Sequence, residues 1–216
     1  MLGHYHLWRG GVEHNDISKN NLMYDKVNED RGILNDFDLA HLRGKPRPSG
    51  SERTGTMPFM ALDLLIKAAL NGKITRLYRH DCESFAWVLL WICCRYKDGK
   101  LIDEAPLSKL ITDDFMTCFI TKVNYPAYVL AATTSYKPYW FAAMDLVDWS
   151  VDHRFKTRRS ERRQMRGDPE EEPEEEPTID EVIEIYRNIL EKNGFTALFI
   201  TIGPFFVIGV HSLTLK

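Results

Sequence analysis

"HNDISKNNLMYDKVNEDRGILNDFDLA", residues 14–40, decides the reading of this chain. Leu22-Met23-Tyr24 and Gly32-Ile33-Leu34 are short apolar runs, and the polar residues Asn28 to Gly32 between them supply turn chemistry. That pattern predicts a β-hairpin. A hairpin brings its outer ends together, so Asn21 at the entry should lie beside Asp36 at the exit. Two hard oxygen ligands then converge where Mg²⁺ could be held, a metal that takes few protein groups and relies on substrate phosphates for the rest. Asp16 lies just upstream, within reach of the same point, as a carboxylate able to accept a proton. Taken singly, each of these acids reads as a solvated surface group. Taken together at this spacing, they read as a catalytic set.

The stretch resembles the catalytic loop and metal-binding motif of eukaryotic protein kinases, His-Arg-Asp-x-x-x-x-Asn followed by Asp-Phe-Gly. His14-Asn15-Asp16-Ile17-Ser18-Lys19-Asn20-Asn21 fits with Asn15 in place of Arg, and Asp36-Phe37-Asp38 fits with Asp38 in place of Gly. The wording is most similar to the fungal-type protein kinases, a divergent branch. Two later motifs agree. "RTGTMPFMALD" (53–63) resembles the end of an activation segment, with Leu62 and Asp63 where the family has Pro and Glu. "HDCESFAWVLLWICCRY" (80–96) resembles the central buried helix, with Asp81 at the position that braces the catalytic loop, which the resemblance implies it does through backbone N–H groups around His14 and Asn15. Small-molecule phosphotransferases of the aminoglycoside-kinase type share the Asp-x-x-x-x-Asn loop and a following Asp. The activation-segment ending and the Asp81-x-x-Ser84 helix favour the protein-kinase branch.

The resemblance implies a mainly α (α+β) fold, a kinase-like C-terminal lobe with a small β-hairpin near the catalytic loop. It covers roughly residues 1–150, and the N-terminal lobe is expected to be missing, because too few residues precede His14 for a Gly-rich loop and its lysine strand. The implied cofactors are ATP and Mg²⁺. Asp16 would accept the proton of a Ser or Thr hydroxyl on a protein substrate. Asn21 and Asp36 would hold the metal and nucleotide phosphates, with Asp38 a further metal contact. Thr56 would bond Asp16 and help fix the substrate segment. Lys19 is the catalytic-loop cation, one position beyond the family's lysine, whose place Ser18 takes. The expected function is Ser/Thr-type protein phosphorylation by a truncated fungal-type kinase domain. Activity should then require a separate N-lobe or upstream domain. The alternatives are a catalytically inactive kinase-like binding module and a membrane-tethered fragment.

The bulk numbers bound the rest. At 216 residues with 44% hydrophobic content, one domain with a substantial core is expected. A formal net charge of −3 gives no whole-chain reason to expect nucleic acid. Cys82, Cys93, Cys94 and Cys118 form no C-x-x-C pair, which suits reduced, buried thiols in the cytoplasm or nucleus. The first residues lack the apolar region of a signal peptide.

Beyond residue 150 the composition changes. Residues 153–167 hold seven Lys or Arg and residues 168–177 hold seven Asp or Glu, so 151–177 reads as a charged disordered linker. Thr178 with Glu181 forms a capping-box pattern that opens an amphipathic helix over 178–194, closed by Gly194. The apolar tail 195–216 approaches the length of a membrane span but is interrupted by Gly203-Pro204. A tail anchor and a buried hairpin are both open readings.

Overall fold

Helix α3 (Tyr78–Arg95) forms the axis of the molecule, because its sequence leaves it no solvent face. No Gly or Pro interrupts it, and of its 18 residues only Leu89 escapes full burial. The computed structural model describes residues 2–24, 32–46, 55–103, 106–127, 130–167 and 175–195. The expected turn at 28–31, most of the acidic block at 168–174, and the tail beyond 195 lie outside them.

Helix α1 (Leu2–Arg9) leads into strand β1 (Val12–Glu13) and the loop that carries Asp16. Strands β2 (Leu22–Tyr24) and β3 (Gly32–Leu34) form the expected antiparallel hairpin, Leu22 opposite Leu34 and Met23 opposite Ile33. Strand β4 (His41–Leu42) returns to pair with β1, so the hairpin and the Asp36–Asp38 turn are closed off at their base. Two 3₁₀ turns, Met57–Phe59 and Leu62–Leu65, and the short helix α2 (Lys67–Leu70) carry the chain to α3.

After α3, strands β5 (Tyr96–Lys97) and β6 (Lys100–Leu101) make a tight hairpin through Asp98-Gly99, both at positive φ (46° and 75°). Helix α4 (Phe115–Val123) starts on an N-cap in which Asp114 accepts the Thr117 N–H at 2.7 Å. Helices α5 (Trp140–Arg166) and α6 (Ile179–Lys192) complete the order. The described residues are thus mainly helical with a few short strands. Among them no helix is long and apolar enough to cross a membrane.

The core joins α3 to α5 through Cys82, Ala86, Ala142, Ala143, Leu146 and Val147. All four cysteines are buried and free. Helix α6 docks Val182, Tyr186 and Leu190 onto this core, and its capping box is formed as the sequence predicts.

One expectation is corrected. Residues 151–166 are not a disordered linker, since α5 runs through them to Gly167, a left-handed stop at φ 71°. Arg, Lys, Glu, Gln and Met are good helix formers. Once Ala142, Leu146, Val147 and Val151 anchor the helix on the core, adding turns meets only the small propagation cost. Charge content alone hid this.

Candidate active site

The loop from His14 to Asn21 is fixed before any ligand arrives. His14 is 1% exposed. Its Nε2–H donates to the Asn35 carbonyl at 2.9 Å, and its Nδ1 accepts the Asp16 N–H at 3.3 Å. Burial pushes its pKa down, which suits this neutral tautomer. Its ring meets Phe37 edge-on, with centroids 4.8 Å apart. Asn15 adopts φ 71°, a conformation that Asn tolerates better than most residues. Its Nδ2 donates to the Leu39 carbonyl at 3.0 Å, while its own carbonyl accepts from Arg76 at 2.6 Å.

Asp16 is only half-buried, yet both carboxylate oxygens are engaged. Oδ1 accepts the Thr56 N–H at 2.7 Å and its hydroxyl at 2.8 Å. Oδ2 accepts Asn21 Nδ2 at 3.0 Å, and the same nitrogen reaches the Asp16 carbonyl at 2.9 Å. The structure therefore brings together Asp16, Asn21 and Thr56, three residues selected from the sequence. Gly55 permits this approach. It sits at φ 134°, and a Cβ there would stand 3.1 Å from the Asn15 carbonyl.

The hairpin sets the backbone of Asn35, the residue before Asp36, against the loop, since the Asn35 N–H donates to the Asn21 carbonyl at 2.8 Å. Asp36 is exposed at φ 60°, and its Oδ1 accepts the Asp38 N–H at 3.3 Å. The Asn21 amide nitrogen faces Asp16, so its Oδ1 is the atom it can offer a cation. Asp36 and Asp38 carry exposed carboxylates in the turn that follows, oxygen donors of the type Mg²⁺ takes, although among the described residues no three His, Cys, Asp or Glu gather into a metal cluster. Lys19 is not drawn into the cluster. Its Nζ donates to Asn20 Oδ1 at 2.7 Å, and burial together with the nearby Arg95 lowers its pKa.

Asp81 is fully buried, as expected of the loop brace, but its partners differ from those the resemblance implies. His4 Nε2 lies 3.0 Å from Oδ2, and Arg76 lies 3.3 Å from Oδ1. Arg76 then bonds the Asn15 carbonyl, so Asp81 braces the loop through an arginine rather than through the loop's own N–H groups. Burial opposes its ionisation, but the His4 hydrogen bond and the Arg76 charge win and hold its pKa at about 2.

The segment from Thr56 to Leu65 is gripped by groups that the sequence reading did not single out. Lys122 of α4, 0% exposed, donates Nζ to the Met60 carbonyl and stands 4.4 Å from the Trp87 ring centroid. Glu83 of α3 accepts the Leu62 N–H at 2.9 Å and Trp87 Nε1 at 3.1 Å. Burial lowers the Lys122 pKa to about 8 and raises that of Glu83. Asp63 meets Arg79 at 2.6 Å, Arg154 at 2.5 Å and His80 at 3.3 Å. A charged residue inside an apolar helix was the available signal for Glu83 and Lys122.

No curated protein matches the chain. Residues 1–93, which hold the loop, the hairpin, the Asp36–Asp38 turn, Thr56 and most of α3, match the fungal protein kinase family. This chain therefore carries a fungal-type kinase-related segment.

Proposed function

We propose that residues 1–150 act as the C-terminal lobe of a protein kinase that phosphorylates Ser or Thr hydroxyls of a protein substrate, with ATP as donor. One observation carries the reading: the Asp16 carboxylate is held on one side by Asn21 and on the other by Thr56. A carboxylate fixed in this way is oriented, yet half-open to an incoming hydroxyl. Asp16 positions that hydroxyl and takes its proton as the oxygen bonds to the γ-phosphorus and the bond to the ADP oxygen breaks. Asn21 Oδ1, Asp36 and Asp38 would hold Mg²⁺, which neutralises phosphate charge when bound. Thr56 keeps Asp16 from rotating away and begins the segment that seats the substrate. The outer face of the hairpin, with Met23 43% and Ile33 44% exposed, offers an apolar surface to the adenine or to an N-terminal lobe.

A non-catalytic binding module is the second reading, and one observation favours it. Among the described residues no cation bonds Asp16, since Lys19 is engaged by Asn20. Phosphoryl transfer from labelled ATP to a Ser/Thr peptide library decides between them, using this chain both alone and joined to a nucleotide-binding N-lobe. Transfer that vanishes in Asp16→Asn supports the kinase. Transfer indifferent to that substitution, or none from either form, rejects it.

A further inference from the structure

The family match ends at residue 93, yet groups far beyond it reach the segment that carries Thr56. Asp63, at the end of that segment, takes Arg79 on one carboxylate oxygen and Arg154 on the other. Two arginines on one buried carboxylate leave a positive charge in excess, and such a charge is costly without a partner. Glu176, just ahead of α6, supplies it. Its Oε1 accepts Arg79 Nε, its Oε2 accepts Arg79 Nη2 at 3.4 Å, and His153 lies 3.9 Å from Oε2. Arg79 thus spans Asp63 and Glu176 through one planar guanidinium, the geometry in which arginine holds two acceptors most firmly.

Helix α6 has a separate tie to the molecule. Asp180 Oδ1 accepts the Tyr5 hydroxyl at 2.6 Å and lies 3.3 Å from Arg9. The two attachments differ in what they hold. Asp180 joins α6 to α1, whereas Glu176 acts on the far side, on the arginine that fixes Asp63.

We propose that Glu176 is a positioning residue: through Arg79 it fixes Asp63, and so holds the Thr56–Asp63 segment against Asp16. The C-terminal part of the chain is then a working part of the substrate seat and not an appendage to it. The contacts carry the clamp by themselves; its bearing on a peptide substrate rests on the transferase reading above. Without Glu176, Arg79 loses the second anion that orients its guanidinium, its hold on Asp63 loosens, and the segment between Asp63 and Thr56 gains freedom.

Hydrogen exchange read by mass spectrometry on the full 216-residue chain tests this. In Glu176→Gln, exchange of the amides from Thr56 to Leu62 should accelerate about tenfold, while the centre of α3 keeps its protection. Glu176→Asp retains the carboxylate and should recover part of the effect. Asp180→Asn, which removes the charge from the tie to α1 and weakens that tie alone, should leave residues 56–62 at the wild-type rate. Unchanged exchange in Glu176→Gln overturns the proposal. So does an equal acceleration in Asp180→Asn, or one spread over the whole chain, because either would mean that Glu176 merely anchors α6. No nucleotide enters this measurement, so a failure of phosphoryl transfer is read separately from a failure of the clamp.

Discussion

His4 Nε2 lies 3.0 Å from the Asp81 carboxylate, 77 positions away, and both side chains are buried. The first helix of the chain is thereby tied to the central one through the residue that also holds Arg76 on the loop. Asp81→Ala leaves His4 and Arg76 without their shared anion. Unfolding free energy should fall by about 2–4 kcal/mol, the range for one partner removed from a buried network. Thermal melts of Asp81→Ala, His4→Ala and the double variant check it. Additive losses would show that the two residues do not interact.

Gly55 offers a backbone test of the Asp16–Thr56 contact. In Gly55→Ala the new Cβ meets the Asn15 carbonyl at 3.1 Å and Met60 Cγ at 3.2 Å, in a left-handed backbone that alanine disfavours. Stability should drop by about 1–3 kcal/mol. The Thr56 amide, which donates to Asp16, should lose hydrogen-exchange protection before the α3 amides do. Intact protection of Thr56 would mean that the approach is looser than described.

Lys122 predicts a pH dependence with a definite sign. Its pKa is about 8 in the folded protein against 10.5 ordinarily, so between these values the unfolded chain binds more protons than the native one. Stability from this group therefore rises as pH climbs from about 8 to 10.5, by the linkage relation. Lys122→Met should flatten that rise in denaturant titrations. A wild-type profile already flat or falling across the window, and unaltered by Lys122→Met, would remove the buried lysine from consideration.

Asp16 and Asp36 divide the proposed chemistry between them. In an assembled enzyme Asp16→Asn should abolish transfer while nucleotide affinity stays within about twofold, since that carboxylate serves the substrate hydroxyl. Asp36→Asn should weaken Mg²⁺-dependent nucleotide binding at least about tenfold. Calorimetric titration with and without Mg²⁺ separates the two. Indistinguishable variants would mean that the roles are misassigned.

The features legible in the sequence are those written within a few residues of one another. The hairpin, with Leu22 opposite Leu34, follows from two apolar runs and a turn, and the α6 cap from Thr178 and Glu181. The approach of Asn21 to the backbone of Asn35 follows from the hairpin alone. What was illegible depends on partners far apart in the chain. Nothing near His4 announces Asp81, nothing near Lys122 announces the Met60 carbonyl, and Asp63 gives no sign of Arg154. The helical run through 153–166 was masked for another reason. A dense charge block resembles a linker in composition, and only the apolar anchor upstream reveals that a helix can extend through it.

The four buried thiols give the protein an internal clock. Burial pushes all of their pKa values up, that of Cys94 to about 12, so almost no thiolate is present at neutral pH. Alkylating reagents should therefore modify them at the rate at which the structure opens. Cys118 rests its Sγ against the Met57 carbonyl, inside the proposed substrate seat, whereas Cys82 and Cys93 lie within α3. Labelling of Cys118 ahead of the α3 cysteines would time the local loosening of that seat, and labelling of all four together would time the unfolding of the whole molecule.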